Sequence, residues 1–303
     1  MKTSVRRWQG HSGIILSSVN SSDVIDCTVC GFRHIVPIPS LKDMEGQYEE
    51  DFYSNEKPGY IEKREQDSEW WNLHYNRMYD FLERNVTKGR ILSIGCGPGF
   101  FLQYGKKRGW HTLGVEPGRG AVEYLRRKGI DVIQGFFEEV DLSEYERFDV
   151  IHAAEVLEHV ARPELLVRCA YDNLRDNGII CLVVANEYNR LQTLLTEKMG
   201  LKPWWVVPKE HINYFDIESA SRLLRNNGFE VIHKEVTFPM ELFLLMGQHY
   251  VGNSEVGRRC HAMRKELELN LWREGMGGFL ERLYRFFMEE GMGRELIIYG
   301  RKS

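Results

Sequence analysis

The sequence predicts an α/β protein built on a doubly wound, seven-stranded parallel sheet. Three observations support this prediction: apolar strands and helical patterns alternate from residue 90 to residue 184, three glycines follow the first of those strands, and two further strands lie near the end of the chain. Such alternation favours parallel strands with helices on both faces of the sheet. The expected strands are 90–94, 112–115, 131–134, 148–153, 179–184, 230–236 and 295–299.

Helical patterns fill the intervals between these strands. Apolar side chains recur at helical spacing in the segment that precedes the first strand. The expected helices are 68–85, 100–108, 121–128, 164–174 and 217–226. Gly178 after Asn177 is typical of a helix end, so the chain is expected to turn there into the fifth strand.

The chain divides into three expected segments. Residues 1–66 are turn-rich and predict an irregular N-terminal cap, residues 67–237 predict the α/β core, and residues 238–303 predict a C-terminal helical insertion before the last strand. The helical insertion, from Met240 to Gly291, is rich in Leu, Phe and Met. We expect it to act as a lid or as the surface of a homodimer.

The composition narrows the choice of partners. The 303 residues include 40 Lys and Arg against 44 Asp and Glu, a net charge of −4, which provides no bulk attraction for nucleic acid or anionic membrane. No segment approaches the ~20 apolar residues needed to cross a bilayer, and no signal-peptide core is present. The six cysteines are scattered, which does not indicate a disulfide framework. We therefore expect a cytoplasmic protein without membrane insertion or a nucleic-acid partner.

The most informative motif follows the first strand, where Gly95, Gly97 and Gly99 precede a helix that begins near Phe100. Such glycines let the backbone turn tightly and let a ligand approach where a Cβ atom would collide. A G-x-G-x-x-G dinucleotide motif would need its third glycine at position 100. The phenylalanine there argues against an NAD-dependent oxidoreductase, which remains an alternative for the same fold.

The next three strands also end on informative residues. Glu116 directly follows the second strand, about twenty residues after the motif begins, the spacing at which a carboxylate reaches ribose hydroxyls. The third strand leads into Phe136 and Phe137, and the fourth leads into Glu155. Because the strands are expected to be parallel, these residues should meet at one edge of the sheet.

In this order, the strands and loops resemble the class I S-adenosylmethionine-dependent methyltransferases. The G-x-G-x-G spacing is similar to their motif I, and FDVIHAAEVLEHV at 148–160 is similar to a signature of ubiquinone and sugar O-methylating enzymes. The resemblance covers roughly 90–186 and implies a Rossmann-like sheet, S-adenosyl-L-methionine as cofactor, and methyl transfer. The cofactor-binding residues that it implies are Gly95, Cys96, Gly97, Gly99, Phe100, Glu116, Pro117, Phe136, Phe137 and Glu155.

The resemblance also suggests where the acceptor binds. The turn after the fourth strand lies beside the methyl group in that family, so His159 is expected to remove a proton from the acceptor, since imidazole titrates near neutral pH. His211, in the long connection 186–215, is the second catalytic candidate. Trp205 and Tyr214 lie in the same connection and are expected to contact the substrate, because aromatic rings can stack on a sugar.

A second set of side chains resembles the Glu-x-x-Glu-His…His metal set of small-RNA 2′-O-methyltransferases: Glu155, Glu158, His159 and His211. Oxygen and imidazole ligands would suit Mg²⁺ or Mn²⁺. That family supplies a second histidine close to the last one, whereas isoleucine and asparagine follow His211 here. General-base catalysis is therefore the preferred interpretation, and no metal is expected.

The N-terminal segment resembles the cap of methyltransferases associated with bacterial surface-sugar biosynthesis. The similar residues are 27–39, Tyr48, Phe52 and Tyr53. Related sugar C-methylating enzymes carry two Cys-x-x-Cys pairs that bind zinc, whereas this chain has only one pair.

That single pair is Cys27 and Cys30, for which His34 and His11 are the nearest further ligands for a tetrahedral zinc. One Cys-x-x-Cys without a partner pair is a poor indicator of zinc. We therefore expect a degenerate cap whose cysteines are packed or exposed without metal.

The sequence thus predicts methyl transfer to a small hydroxylated acceptor, with a sugar or nucleotide-sugar as the leading class. Two alternatives remain. One is a non-catalytic regulatory protein that binds the cofactor, and the other is a metal-assisted enzyme similar to the RNA 2′-O-methyltransferases. Whether oxygen, nitrogen or carbon receives the methyl group stays open at this point.

Overall fold

A computed structural model describes residues 4–40 and 59–303, and its first elements form an antiparallel sheet. The strands are β1 (Val5–Trp8), β2 (His11–Val19), β3 (Ser22–Cys27) and β4 (Arg33–Val36). The expectation of an irregular cap is therefore wrong for this part of the segment. Polar residues interrupt the apolar residues of these strands, and β1, β3 and β4 are only four to six residues long, so their apolar alternation is weak. Tyr48, Phe52 and Tyr53 lie outside the described residues.

Helices and strands then alternate along the chain. The first of them are α1 (Tyr60–Gln66), α2 (Ser68–Asn85), β5 (Arg90–Ile94), α3 (Phe100–Lys107), β6 (His111–Glu116), α4 (Arg119–Arg127), β7 (Asp131–Gln134), β8 (Phe148–Ala154), α5 (Pro163–Asn173) and β9 (Leu174–Ala185). After these come α6 (Arg190–Glu197), β10 (Asn213–Tyr214), α7 (Ile217–Asn226), β11 (Phe229–Val236), α8 (Glu241–Leu245), α9 (Ser254–Arg273), α10 (Gly277–Glu289) and β12 (Glu295–Lys302).

The expected seven-stranded sheet is confirmed, with the strand order β11-β12-β9-β8-β5-β6-β7. The five strands from β9 to β7 pair parallel, whereas β12 pairs antiparallel with both β9 and β11. The carboxyl ends of the parallel strands therefore lie at one edge of the sheet. The loops that carry the glycines, Glu116 and His159 all leave from that edge.

Both faces of the sheet are covered, as a doubly wound fold requires. Leu92 of β5 packs in a buried cluster with Leu166 of α5, whereas its neighbour Ile91 packs with Tyr79 of α2 on the other face. Successive strand residues point to opposite faces, so this alternation requires helices on both sides.

The junction between α5 and β9 differs from the expectation. The left-handed residue is Asn177 (φ 62°), not Gly178, and the helix has already ended at Asn173. Gly178 lies within β9, where a Cβ atom would come 2.8 Å from the carbonyl oxygen of Arg175. The glycine is therefore explained by close backbone packing, not by a left-handed conformation.

The connection 186–215 ends in β10, which crosses to the N-terminal sheet. In that sheet, Asn213 pairs with His34 and Tyr214 pairs with Arg33 of β4. This pairing attaches the cap to the core directly after His211.

The helical insertion before the last strand consists of α8, α9 and α10, which pack on one another around Phe243, Cys260 and Tyr284. Several large apolar side chains on α9, on α10 and between them are exposed: Met263, Leu267, Trp272, Met276, Phe279 and Phe286. A homodimer through this surface remains a prediction. Among the described helices, none is long and apolar enough to span a bilayer.

Candidate active site

A cavity of about 1070 Å³ opens at the carboxyl edge of the parallel strands. The loops that follow β5, β6, β7 and β8 all line it, as do α2 and the start of β12. Ligands of doubly wound sheets bind at this edge because the loops from neighbouring strands converge there. All ten residues expected to bind the cofactor line this one cavity, although their individual roles remain predictions.

The loop after β5 presents bare backbone to the cavity. Gly95, Gly97 and Gly99 have φ values of 55°, 53° and 66°, the left-handed region in which L side chains are strained. A Cβ atom on Gly95 would lie 2.7 Å from Cγ2 of Val156, and one on Gly99 would overlap Leu125. Conformation and space therefore both require glycine at positions 95 and 99.

Glu116 is held at the end of β6 by two backbone groups. Its Oε2 accepts a hydrogen bond from the Gly97 N–H and its Oε1 accepts one from the Gly118 N–H, both at 2.8 Å. Burial raises the pKa of this carboxyl, while the two hydrogen bonds oppose the shift. Each carboxylate oxygen has a second lone pair, so the side chain can still accept a hydrogen bond from a ligand hydroxyl.

The turn after β8 is tied to the rest of the molecule through Asn213. Its side-chain amide donates to the carbonyl oxygens of Leu157 (2.8 Å) and Val160 (2.7 Å), and its backbone N–H donates to the Glu158 carbonyl at 3.0 Å. Glu155 begins this turn with φ 55°, a strained conformation for a residue with a side chain. Strain of this kind is concentrated at functional sites.

The two predicted catalytic histidines meet beside this turn. The ring centroids of His159 and His211 are 5.1 Å apart. One potential ligand atom from each of Glu158, His159 and His211 lies within 4.8 Å of the other two. Nδ1 of His159 lies 2.6 Å from the Glu210 carbonyl oxygen, to which it donates. In a neutral His159 ring, Nε2 is therefore the nitrogen that can accept a proton.

Burial and neighbouring charges tune this cluster. Burial raises the pKa of Glu158 to about 8, and its Oε2 is buried without a hydrogen-bond partner. Burial alone would lower the pKa of His211, but a 3.0 Å hydrogen bond to Glu187 and the charge of Glu187 raise it. His211 therefore favours the imidazolium form more than an ordinary histidine does.

Three charged residues that the sequence did not reveal also line this cavity: Arg264 of α9, Arg294 and Glu295. Burial raises the pKa of Glu295, and the nearby charge of Glu155 adds to that shift. Because β12 runs antiparallel to β9, Glu295 pairs with Ala185 at the carboxyl end of β9. Recognising the last strand as antiparallel would have placed its first residues at the active edge.

Trp205 and Tyr214 do not lie where substrate contacts were expected. Both are buried, 5% and 0% exposed, and they pack with Val24 and Ile35 of the N-terminal sheet. Neither lines the cavity. The pairing of β10 with β4 places Tyr214 in the interface between cap and core. Trp205 packs in the same buried cluster.

The four N-terminal metal candidates also come together, outside this cavity. His11, Cys27, Cys30 and His34 present one ligand atom each within 4.8 Å of one another. This arrangement argues against the expectation that the two cysteines are merely packed or exposed.

The fold and the site together define the class of S-adenosyl-L-methionine-dependent methyltransferases. The residues fit this cofactor, because a loop without side chains at Gly95, Gly97 and Gly99 lines the cavity and a buried carboxylate beside it can accept hydrogen bonds from ribose hydroxyls. A family model described as a methyltransferase domain matches residues 70–234, more than half of the chain. The chain belongs to this family.

Individual relatives agree with this assignment. The ubiquinone biosynthesis O-methyltransferase of Azorhizobium caulinodans is 36% identical over 103 residues, which cover 32% of this chain and 40% of that protein. The enzyme of the same name from Hahella chejuensis is 34% identical over 100 residues, 30% of this chain and 42% of its own. The chain thus spans less than half the length of these two curated relatives.

A solved structure provides a comparison of the fold. A SAM-dependent methyltransferase from Archaeoglobus fulgidus matches with a TM-score of 0.52 at 16% identity, covering 81% of this chain and 100% of that one. At this identity the likeness concerns the fold alone.

Proposed function

We propose that this protein transfers the methyl group of S-adenosyl-L-methionine to a hydroxyl group of a small acceptor, of the sugar or nucleotide-sugar class. The observation that carries the proposal is the position of His159 and His211 in the same cavity as the glycine loop. The loop and the histidine-bearing turn lie close together, because a Cβ atom on Gly95 would come 2.7 Å from Cγ2 of Val156. A proton acceptor thus lies beside the site where the methyl donor is expected.

Bound S-adenosyl-L-methionine supplies an electrophilic methyl group on its sulfonium sulfur. Glu116 and the glycine loop hold and orient the ligand, and most of the rate enhancement comes from aligning the acceptor oxygen with it. His159 takes the acceptor proton at Nε2, and the Glu210 carbonyl stabilises the resulting imidazolium through Nδ1–H. His211, favoured in its charged form, donates a hydrogen bond that orients the acceptor.

The charged lining supports a hydroxylated acceptor. Arg264 and Glu295 offer hydrogen-bonding groups that suit sugar hydroxyls, and Arg294 suits a phosphate of a nucleotide-sugar. The O-methyltransferase names of the relatives support oxygen as the atom that receives the methyl group. The net charge of −4 favours a small-molecule acceptor over nucleic acid.

The direct test measures S-adenosylhomocysteine formation with purified protein and a panel of acceptors: free sugars, nucleotide-sugars and dihydroxybenzoates. We expect turnover with a sugar or nucleotide-sugar, and a product whose new methyl group lies on oxygen by NMR. Turnover with the dihydroxybenzoates alone would show that the acceptor is a phenol and not a sugar or nucleotide-sugar. Tight cofactor binding without turnover on the panel would instead favour a regulatory protein.

A second candidate function uses a divalent ion in place of a base. Glu158, His159 and His211 are close enough to share one ion, and such a set would suit Mg²⁺ or Mn²⁺ in a metal-assisted enzyme of the RNA 2′-O-methyltransferase type. Titration of dialysed protein with Mn²⁺, using short RNA and the sugar panel as acceptors, separates the two candidates. Base catalysis predicts activity that does not depend on added metal.

A further inference from the structure

Four potential metal ligands converge in the N-terminal sheet although they come from four places in the chain. His11 begins β2, Cys27 ends β3, Cys30 lies in the following turn and His34 lies in β4. The strand register explains the convergence, because Gly13 pairs with Cys27 while Ile25 pairs with His34. Adjacent strands thereby bring two imidazoles to the Cys-x-x-Cys turn.

The distances fit a tetrahedral ion. Nδ1 of His11 lies 3.2 Å from Sγ of Cys30 and 3.8 Å from Sγ of Cys27, and all four ligand atoms lie within 4.8 Å of one another. The edges of a tetrahedron with zinc–sulfur and zinc–nitrogen bonds of ordinary length measure about 3.3–3.8 Å. Small side-chain movements suffice to close the set around an ion.

The surroundings prepare these side chains for a metal. His34 is 1% exposed and donates Nδ1–H to the carbonyl oxygen of Ile35 at 2.9 Å, which fixes the tautomer and leaves the lone pair on Nε2. That Nε2 is buried and has no hydrogen-bond partner. The Cys30 N–H points to Sγ of Cys27 at 3.5 Å, so the turn brings the two cysteines together.

We propose that the cap binds one structural zinc ion, which stabilises the N-terminal sheet and whose ligands are His11, Cys27, Cys30 and His34. Two thiolates and two imidazoles are a set that zinc favours, and four protein ligands leave no open position for chemistry. The site lies in the cap, so this inference does not depend on the proposed methyl transfer.

The ion also has a consequence for the active site. His34 pairs with Asn213, whose amide donates to the turn that carries Glu158 and His159. A zinc ion that holds β4 in place therefore supports the position of that turn. The four ligands lie outside the cavity, so they would act on the turn only through this connection.

The test is metal analysis of full-length protein purified without an affinity tag or chelator. We expect about one zinc per chain, and less than about a tenth of that in Cys27→Ser and in His34→Gln. Cys169→Ser changes a cysteine of α5, and His211→Asn changes the other candidate metal cluster. Both control variants should keep the zinc.

Replacement by Co²⁺ reports the ligands themselves. We expect the visible absorption of tetrahedral cobalt together with a thiolate-to-cobalt charge-transfer band, and loss of both in Cys27→Ser. Removal of zinc should raise hydrogen exchange in residues 22–36 and 211–215, while β5 in the centre of the large sheet stays protected.

Three results would overturn the proposal. The first is metal-free wild-type protein after growth and purification with zinc present. The second is equal zinc in the wild type and Cys27→Ser, and the third is a Cys27–Cys30 disulfide, seen as two fewer free thiols than the six cysteines would provide. Because the wild-type zinc content decides the question, the proposal stays testable even if a variant fails to fold.

Discussion

Gly95 of the glycine loop faces Val156 of the turn that carries His159, with no room for a side chain between them. A Cβ atom on Gly95 would lie 2.7 Å from Cγ2 of Val156, closer than real carbon contacts allow. The two loops follow neighbouring parallel strands, β5 and β8. Because glycine has no Cβ atom, the loop at the expected cofactor site can lie close to the turn that carries the expected base.

Gly95→Ala should weaken S-adenosyl-L-methionine binding at least about tenfold, because the new methyl group pushes the loop away from the turn. Gly129→Ala is the matched control: its φ is 70°, but only the flexible end of Lys106, 4.0 Å away, is near its Cβ position. It should lose roughly 1–2 kcal/mol of unfolding free energy and no affinity. Adding Val156→Ala to Gly95→Ala should recover part of the binding, as measured by calorimetry. Equal behaviour of the two alanine variants would contradict this account.

Glu116→Ala should weaken S-adenosyl-L-methionine binding by about 1.5–3 kcal/mol, since hydrogen bonds to a charged group are lost from ligand and loop. Glu123→Ala removes a glutamate of α4 whose side chain is 50% exposed, and it should bind normally. Calorimetry on folded proteins measures both affinities. Unchanged affinity in Glu116→Ala would remove this residue from the cofactor site.

His159→Asn should keep cofactor affinity and lower turnover by roughly 10²–10⁴-fold, because asparagine cannot accept the acceptor proton. His111→Asn, at the exposed start of β6, serves as the control and should retain full turnover. Steady-state kinetics and cofactor calorimetry on the same preparations provide the comparison. Near-normal turnover in His159→Asn would mean that positioning alone drives the reaction.

Glu158→Gln should change how stability depends on pH. The folded pKa is raised to about 8, above the unfolded value of about 4.3, so the native state keeps a proton that the unfolded state loses between these values. Glu158 therefore lowers the free energy of unfolding as pH rises through this window. Glutamine cannot titrate, so the variant should gain stability relative to the wild type from pH 5 to pH 8. Urea unfolding across that range measures the difference, and a constant difference would refute the shift.

Much of the core could be predicted because its signals are local. The strand from Arg90 to Ile94, the three glycines after it and Glu116 lie close together in sequence, and each reflects the conformation of its own segment. The order of these segments also predicted a parallel sheet, whose carboxyl edge then had to carry the site. Family membership, shown by the match to 70–234, agrees with that pattern.

The expectations that failed depended on contacts between distant segments. The strands β1–β4 lack a strong apolar alternation, and their pairing gives the cap its regular structure. Trp205 was expected to contact the substrate. The pairing of β10 with β4 instead brings the segment before β10 against the N-terminal sheet, where Trp205 is buried. Arg294 and Glu295 reach the cavity because the last strand runs antiparallel.

The sequence by itself thus determined the α/β class, the glycine loop and the carboxylate beside it, since apolar periodicity and glycine spacing act within a few residues. Only the tertiary structure decided that His159 meets His211 and that His11 and His34 join Cys27 and Cys30. The second of these encounters depends on the register of β2, β3 and β4. A shift of one residue between paired strands would turn the same side chains to the opposite face of the sheet.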